Sequence, residues 1–251
     1  MKSIVLFGSG NVATHIFRAI SGTENFGIIQ VYNHRSEPLN TFKDLVELTT
    51  NIENIAPADI YLFAVKDDAI PEIAEKLHFK DALMLHTSGA VSIDVFSKFK
   101  HSGVFYPLQT FSKNKEVDFT EIPICIESDS DPEILEELAS ALSNKIFRIT
   151  SEQRKSIHVA AVFVSNFVNY LYSEGEEICK NNKVPFELLH PLIKETALKA
   201  TRMSPQEAQT GPALRGDNNV INSHLELLDP DQQKIYSILT RSIQSLHGKK
   251  L

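Results

Sequence analysis

Cysteine is nearly absent from this sequence, with two in 251 residues. Cys125 lies in a strand-like run and Cys179 in a helical one, so they form neither a disulfide framework nor a metal cluster, and both read as packing residues. No metal site is expected. Basic charge is not in excess either: 25 Lys and Arg against 32 Asp and Glu leave a formal charge of −7. That balance argues against a general nucleic-acid or anionic-membrane binder, while a local phosphate site stays compatible with it. Long apolar runs are also missing. None approaches a membrane span, and the N-terminal run, four residues broken by glycine, is too short for a secretory h-region. A cytoplasmic protein with no nucleic-acid or membrane partner is therefore expected. Internal repeats and low-complexity linkers are lacking as well, while 42% hydrophobic residues can fill a substantial core in one large domain or two ordinary ones.

What is present begins at once. Ile4-Val5-Leu6-Phe7 reads as a buried strand, Gly8-x-Gly10-x-x-Ala13 follows it, and a helical period then starts through Val12, Ile16 and Ile20. Strand, tight turn and helix in that order suit a dinucleotide. Gly8 allows the turn, Gly10 lets the backbone approach a pyrophosphate, and a small Ala13 lets the helix pack on the strand. The free N–H groups and dipole at the helix start favour anions. Gly8, Ser9, Gly10, Asn11 and Val12 are thus the candidate phosphate-binding residues.

A second strand, 27–32, ends in Asn33-His34-Arg35-Ser36, where dinucleotide folds read the adenosine ribose. The acid that would bind a bare 2′-hydroxyl is missing. Arg35 offers a planar fork for a 2′-phosphate, with Asn33 and Ser36 adding hydrogen bonds, so NADP is the expected cofactor and NAD the alternative.

The first 150 residues go on alternating strand-like and helix-like patterns, the mark of a mostly parallel sheet covered by helices. Further strands are expected at 60–65, 82–86, 104–106, 122–126 and 145–149, and helices at 39–46, at 69–77 and from an Asp131 cap with Pro132 at its first position. Val65 and the polar Thr87-Ser88-Gly89 stand at strand ends, where open α/β sheets bind ligands. From Thr150 onward no strand is expected. Thr150-x-x-Gln153 is a capping-box signature ahead of a helical run to about Asn181, followed by helices at 186–203 (bent at Pro191), from Ser204, at 219–228 and from Asp229-Pro230. The expected domains are a Rossmann dinucleotide-binding domain, 1–150, and an all-α substrate and dimerisation domain, 151–251.

This organisation resembles the superfamily of pyrroline-5-carboxylate reductase, the β-hydroxyacid dehydrogenases and 6-phosphogluconate dehydrogenase, in which a Rossmann domain precedes a helical one. More closely, the chain resembles a bacterial family described as Rossmann-like, coenzyme F420-dependent NADP oxidoreductase-like proteins. Gly8-x-Gly10-x-x-Ala13, His86-Thr87-Ser88-Gly89, Tyr106-Pro107-Leu108, the 158–166 helix segment and Gly211-Pro212-x-x-Arg215-Gly216-Asp217 carry that resemblance. It implies a 6-phosphogluconate dehydrogenase C-terminal-like helical domain and a homodimer formed through it, and it leaves F420 open as a participant. Two departures stand out. Prephenate dehydrogenases have His-Pro where this chain has Tyr106-Pro107, and β-hydroxyacid dehydrogenases space Lys and Asn four apart where Lys155 and Asn166 are eleven apart.

For the chemistry, helical geometry places Arg154, His158, Ser165 and Asn169 in one arc of the long helix, flanked by Lys155 and Asn166. Hydride transfer asks a protein to position the reacting carbon and to supply a hydrogen bond or proton to the atom that gains charge. His158 suits that role, with Lys155 and Asn166 the further catalytic candidates. Arg215 is a candidate clamp for a substrate carboxylate or phosphate; Asp217 would orient it or cap the next helix, and His224 lies just beyond. Ser88, Gly89, Arg215 and Asp217 are the substrate-binding candidates, and the active site is expected between the domains. The expected function is an NADP-dependent oxidoreductase moving a hydride between a nicotinamide cofactor and a small polar or anionic metabolite. The competing class is an NADP(H)-binding regulator without redox turnover, and a third reading is a structural dimer with a vestigial site.

Overall fold

The computed structural model describes residues 1–79, 81–113, 115–129 and 132–248. The Asp131 cap falls outside the described residues, although the helix from Pro132 lies within them. The chain divides into two compact units, Met1–Ser165 and Asn166–Leu251.

The first unit is an eight-stranded sheet of β1 (Lys2–Phe7), β2 (Phe26–Tyr32), β3 (Glu47–Thr49), β4 (Ile60–Phe63), β5 (Leu83–His86), β6 (His101–Pro107), β7 (Ile124–Ser128) and β8 (Ile146–Arg148). Their order is β3-β2-β1-β4-β5-β6-β7-β8, parallel except where β6 meets β7. The order reverses direction between β1 and β4, the switch point at which open α/β sheets bind ligands. Alternation along the strands splits the core between two faces. Ile4, Leu6, Ile60, Leu62, Leu83 and Leu85 pack on one side, where α1 (Asn11–Ser21) contributes Ile16 and Ile20 and α3 (Pro132–Leu142) contributes Leu135 and Leu138. Val5, Phe7, Tyr61, Phe63 and Met84 face the other, where α2 (Ala69–Lys76) adds Ile70 and Ala74. Both faces of the inner strands are covered, which is why these strands read as unbroken apolar runs.

Two elements of this unit differ from the sequence reading. The 39–46 helix is a 3-10 helix, Glu37–Phe42, that buries Leu39 and Phe42, and the chain then leaves it to form β3. Glu47-Leu48-Thr49 is an edge strand three residues long, too short for a period to register.

After β8, Thr150 accepts from the Gln153 N–H at 3.2 Å while Thr150 N–H donates to the Gln153 side chain at 2.9 Å, the reciprocal cap that opens α4 (Ser151–Ala161). A π-helical segment, Val162–Phe167, joins it to α5 (Val168–Asn181). The composition changes at 150, yet the compact unit keeps α4, because Arg154 is bonded into the sheet.

The second unit contains α5, α6 (His190–Arg202), α7 (Pro212–Arg215), α8 (Asn218–Glu226) and α9 (Pro230–Leu246). Pro191 does not bend a helix. It sits in the first turn of α6, after a 3-10 turn at Phe186–Leu189, where its missing N–H costs nothing. Ser204-Pro205-x-Glu207 forms a turn rather than a helix, closed by the Ser204 hydroxyl on the Glu207 carboxylate at 2.9 Å. Among the described residues no helix is long and apolar enough to cross a membrane.

Candidate functional site

The strand register fixes where the polar motifs stand. Phe7 pairs with Phe63, Phe63 with His86, and His86 with Val104, so one row of residues ends β1, β4 and β5 and crosses β6 where its pairing with β5 stops. Gly8, Ala64, Thr87 and Phe105 come next. The row after that is Ser9, Val65, Ser88 and Tyr106. Gly8-Ser9-Gly10, Val65 and Thr87-Ser88-Gly89 therefore leave the sheet along a single edge, level with Tyr106, which is still in β6 and pairs with Cys125 of β7.

At the switch point, Gly8 adopts φ +112°, and a Cβ there would run into the Ala64 backbone carbonyl. Only glycine lets β1 turn away so close to β4. Gly10 is different: a Cβ there would meet nothing within 4 Å, and the start of α1 has no side-chain cap and no acidic residue in its first turn. The N–H groups of Asn11 and Val12 thus open an uncrowded, electropositive helix end beside Gly10. The Asn11 amide is occupied elsewhere, donating to the Phe111 carbonyl at 2.9 Å, which leaves its backbone as the part that can meet an anion.

At the ends of β5 and β6, Gly89 is enclosed by two side chains. A Cβ on Gly89 would lie 2.6 Å from His158 Nδ1 and 3.0 Å from Tyr106 Cζ. His158 Nδ1 and the Tyr106 hydroxyl are themselves 2.9 Å apart and hydrogen-bonded, with rings edge to face at 6.0 Å. Both side chains are half-buried. Burial, with Cys125 nearby, raises the Tyr106 pKa against the opposing charge of Arg154, so the phenol keeps its proton at neutral pH.

The comparisons agree with this architecture. The chain is 42% identical to a Bacteroides fragilis protein described as a "putative NADP oxidoreductase", over 97% of this chain and 98% of that one, with a TM-score of 0.91. Residues 122–243 match the model of DUF2520, a domain of unknown function. The chain belongs to the Rossmann-like, NADP oxidoreductase-type family with a DUF2520 C-terminal half. A Thermotoga maritima protein of the same length class shares 22% identity and a TM-score of 0.73 over 97% of this chain and 98% of that one. A Coxiella burnetii pyrroline-5-carboxylate reductase shares 18% and 0.61 over 98% and 93%. At those identities the likeness is one of fold. No curated protein matches the chain.

In this family member the turn after β2 is braced from within. The Asn33 amide donates to Ser9 Oγ at 2.5 Å and its carbonyl oxygen accepts the Arg35 N–H at 3.0 Å, so Asn33 ties the glycine turn to the Arg35 turn. Arg35 and Ser36 are exposed, with Arg35 Nε donating to His34 Nε2 at 3.1 Å.

Arg154 is buried, and it organises the β5 end. Its guanidinium donates to the Ser88 carbonyl at 3.2 Å, to the Val91 carbonyl, to Ser151 Oγ at 3.2 Å and to the Glu127 carboxylate. Glu127 in turn accepts the Ser151 N–H at 2.8 Å and hydroxyl at 2.9 Å. Ser88 Oγ closes the turn by accepting the N–H groups of Ala90 and Val91, each at 3.0 Å. One helical turn separates Arg154 from His158, so the Arg154 bonds that tie α4 to the 88–91 loop and to Glu127 on β7 also set the imidazole over Gly89. Behind them His86 is fully buried, its Nδ1 accepting the Ser88 N–H at 3.2 Å. Burial above all, then the Arg154 charge, push its pKa down to about 3, with the Ser92 backbone opposing.

The other catalytic candidates are exposed. Lys155 points out to solvent, and Asn166 is exposed in the other unit. The π-helical segment breaks the 100° step between residues 158 and 166, so the single arc expected of the long helix does not hold. In the second unit, Asp217 does not bond the start of α8. Its carboxylate accepts from Arg215 at 2.8 Å, which leaves Arg215 oriented and exposed at the end of α7. His224 Nδ1 is hydrogen-bonded to the Tyr236 hydroxyl at 2.9 Å. Tyr106 and Glu127 were missed as site residues. The signal for Tyr106 was its place at the end of the 104–106 run, whereas nothing in the sequence singles out Glu127.

Proposed function

We propose that the protein is an NADP-dependent oxidoreductase that transfers a hydride between the nicotinamide and a small polar or anionic metabolite. The observation that carries this reading is the shared sheet edge: a glycine turn opening on an uncapped helix start at one point of it, and a Tyr–His pair around Gly89 at another. Gly8, Ser9, Gly10, Asn11 and Val12 would hold the pyrophosphate, Asn33, Arg35 and Ser36 the adenosine end, and Val65 and Thr87 the nicotinamide side. When bound, the cofactor supplies the hydride. The residues of the chain supply orientation and the proton: His158 and its neighbours at Gly89 serve the reacting centre, with Ser88 and Gly89 shaping the floor. In the second unit, Arg215, aligned by Asp217, is the candidate clamp for an anionic group. The 42% identical relative described as a "putative NADP oxidoreductase" supports the same reading.

The test is a calorimetric binding screen of NADPH, NADH and F420, followed by a redox panel with whichever binds. NADPH binding with substrate-dependent oxidation is the expected result. NADPH binding with no turnover on any panel member would favour a regulator, and no nucleotide binding would end the proposal. We infer in addition that two copies associate through the helical unit, because among its described residues it buries only Ala213 and Ile221 as apolar side chains; light scattering checks this.

A further inference from the structure

Resting on that reading, we propose that Tyr106 is the proton donor of the reaction, that His158 acts through Tyr106 as its positioning residue, and that the substrate's reducible group is a carbonyl.

Tyr106 stands two residues past Val104, the last residue of β6 to pair with β5, so its side chain starts level with Ser88 at the ligand-binding edge. Its hydroxyl has one protein partner among the described residues, His158 Nδ1 at 2.9 Å. A hydroxyl both accepts and donates. With Nδ1–H donating to the phenol oxygen, the phenol's own proton points away from the imidazole. Gly89 makes this arrangement possible, since any side chain there would push His158 and Tyr106 apart. The Arg154–Glu127 pair fixes α4 and thereby the height of the imidazole.

The identity of the acceptor follows from charge. Reduction of a C=O adds a hydride to carbon, for which a reduced nicotinamide is the source, and a proton to oxygen, which becomes an alcohol. The oxygen gains negative charge as the hydride arrives, and a neutral O–H donor in a partly desolvated site meets that demand. Tyr106 is such a donor, kept protonated by burial. The phenolate it leaves accepts the His158 Nδ1–H bond and regains a proton from water. An iminium substrate would call for a carboxylate beside it. The carboxylate tied into this network, Glu127, is taken up by Arg154 and Ser151.

The experiment uses the full-length protein with NADPH and two probe sets, small 2-oxo acids and aldehydes in one and cyclic imines in the other. Tyr106→Phe, His158→Ala and His158→Asn are compared with wild type, and NADPH binding is read separately by its fluorescence. The expected result is NADPH oxidation with carbonyl probes, lowered about 10²–10⁴-fold by Tyr106→Phe with NADPH affinity within about twofold of wild type. A second readout needs no substrate. The phenol titration of Tyr106, taken as the absorbance difference between wild type and Tyr106→Phe, should move to higher pH in His158→Ala and less far in His158→Asn, which keeps an N–H donor. Turnover of imines alone or of neither set, full activity in Tyr106→Phe, or a Tyr106 titration indifferent to His158→Ala would each overturn the inference. Failure of NADPH to bind would instead overturn the function proposed above, and the titration would still decide the hydrogen-bonded pair.

Discussion

Gly89, Arg35 and His86 each make a claim that one substitution can test. A methyl group at Gly89 would sit 2.6 Å from His158 Nδ1, well inside contact distance, so Gly89→Ala must displace the imidazole or the phenol. Overpacking of this kind costs about 1–3 kcal/mol. We expect Gly89→Ala to lose the Tyr106–His158 hydrogen bond and most turnover while binding NADPH normally, a pattern that crystallography and cofactor titration would check together. Arg35 is exposed at the end of β2, and charge-assisted bonds to a 2′-phosphate are worth roughly 1.5–3 kcal/mol. Arg35→Ala should therefore weaken NADPH by about ten- to a hundredfold and leave NADH unchanged; equal NADPH affinity in the two proteins would refute the assignment. His86 gives a pH prediction with a definite sign. Its folded pKa of about 3 lies below the ordinary 6.5, so protonation favours the unfolded chain. The stability it confers is complete above pH 6.5 and is lost as pH falls toward 3. Between those limits wild type should lose about 1.4 kcal/mol per pH unit more than His86→Asn, whose amide oxygen can still accept the Ser88 N–H. Denaturant melts at several pH values would show parallel slopes if His86 were not the group involved.

The elements show why some of this was legible in the sequence and some was not. The inner strands, the glycine turn and the α4 capping box were readable because each depends on contacts within a few residues: unbroken apolar runs, a φ that only glycine tolerates, a Thr–Gln pair three apart. The 3-10 helix at Glu37–Phe42, the short β3 and the start of α6 at His190 were misjudged because tertiary packing set their limits. The site divides in the same way. His158 was visible as a polar residue on an apolar helix. Its partner Tyr106 lies 52 residues away, and Glu127 and Arg154 are 27 residues apart, separations that no local pattern reports. Arg154 itself looked like one member of a polar stripe, and its burial reverses that meaning. Breaking a buried pair leaves the other charge stranded, at a cost of about 3–5 kcal/mol. Arg154→Met should thus be strongly destabilised, and Arg154→Met with Glu127→Leu should recover much of the loss. If the double variant were no more stable than the single one in chemical denaturation, the clamp on the 88–91 loop would not depend on this pair.

At the scale of the whole molecule the two units contrast in how they bury apolar surface. The sheet unit has a core on both faces. The helical unit, among its described residues, buries Ala213 and Ile221 as its only apolar side chains, and neither α5 nor α6 buries any residue. Leu188, Leu192, Leu227 and Ile238 are each more than half exposed. A groove of about 370 Å³, lined by Leu171, Ile178, Leu227, Ile235 and Leu239, lies open between α5 and the last two helices of this unit. Helices with apolar faces are stable when those faces are covered, and patches beyond a few hundred Å² mark interfaces. A second copy of the chain brings the same apolar helices in equal number, and a stable interface needs about 800 Å² from each partner. The dimer proposed above is therefore as much a folding requirement as an association. Light scattering at micromolar concentration should give twice the 28.1 kDa of one chain. Leu188→Glu with Leu192→Glu, which places charge on one exposed apolar stretch of α6 and the turn before it, should shift the protein to monomers and lower its helix signal, leaving the sheet unit folded. A wild-type monomer with a fully cooperative helical melt would contradict the idea, because such a unit would have to hold itself together with almost no core.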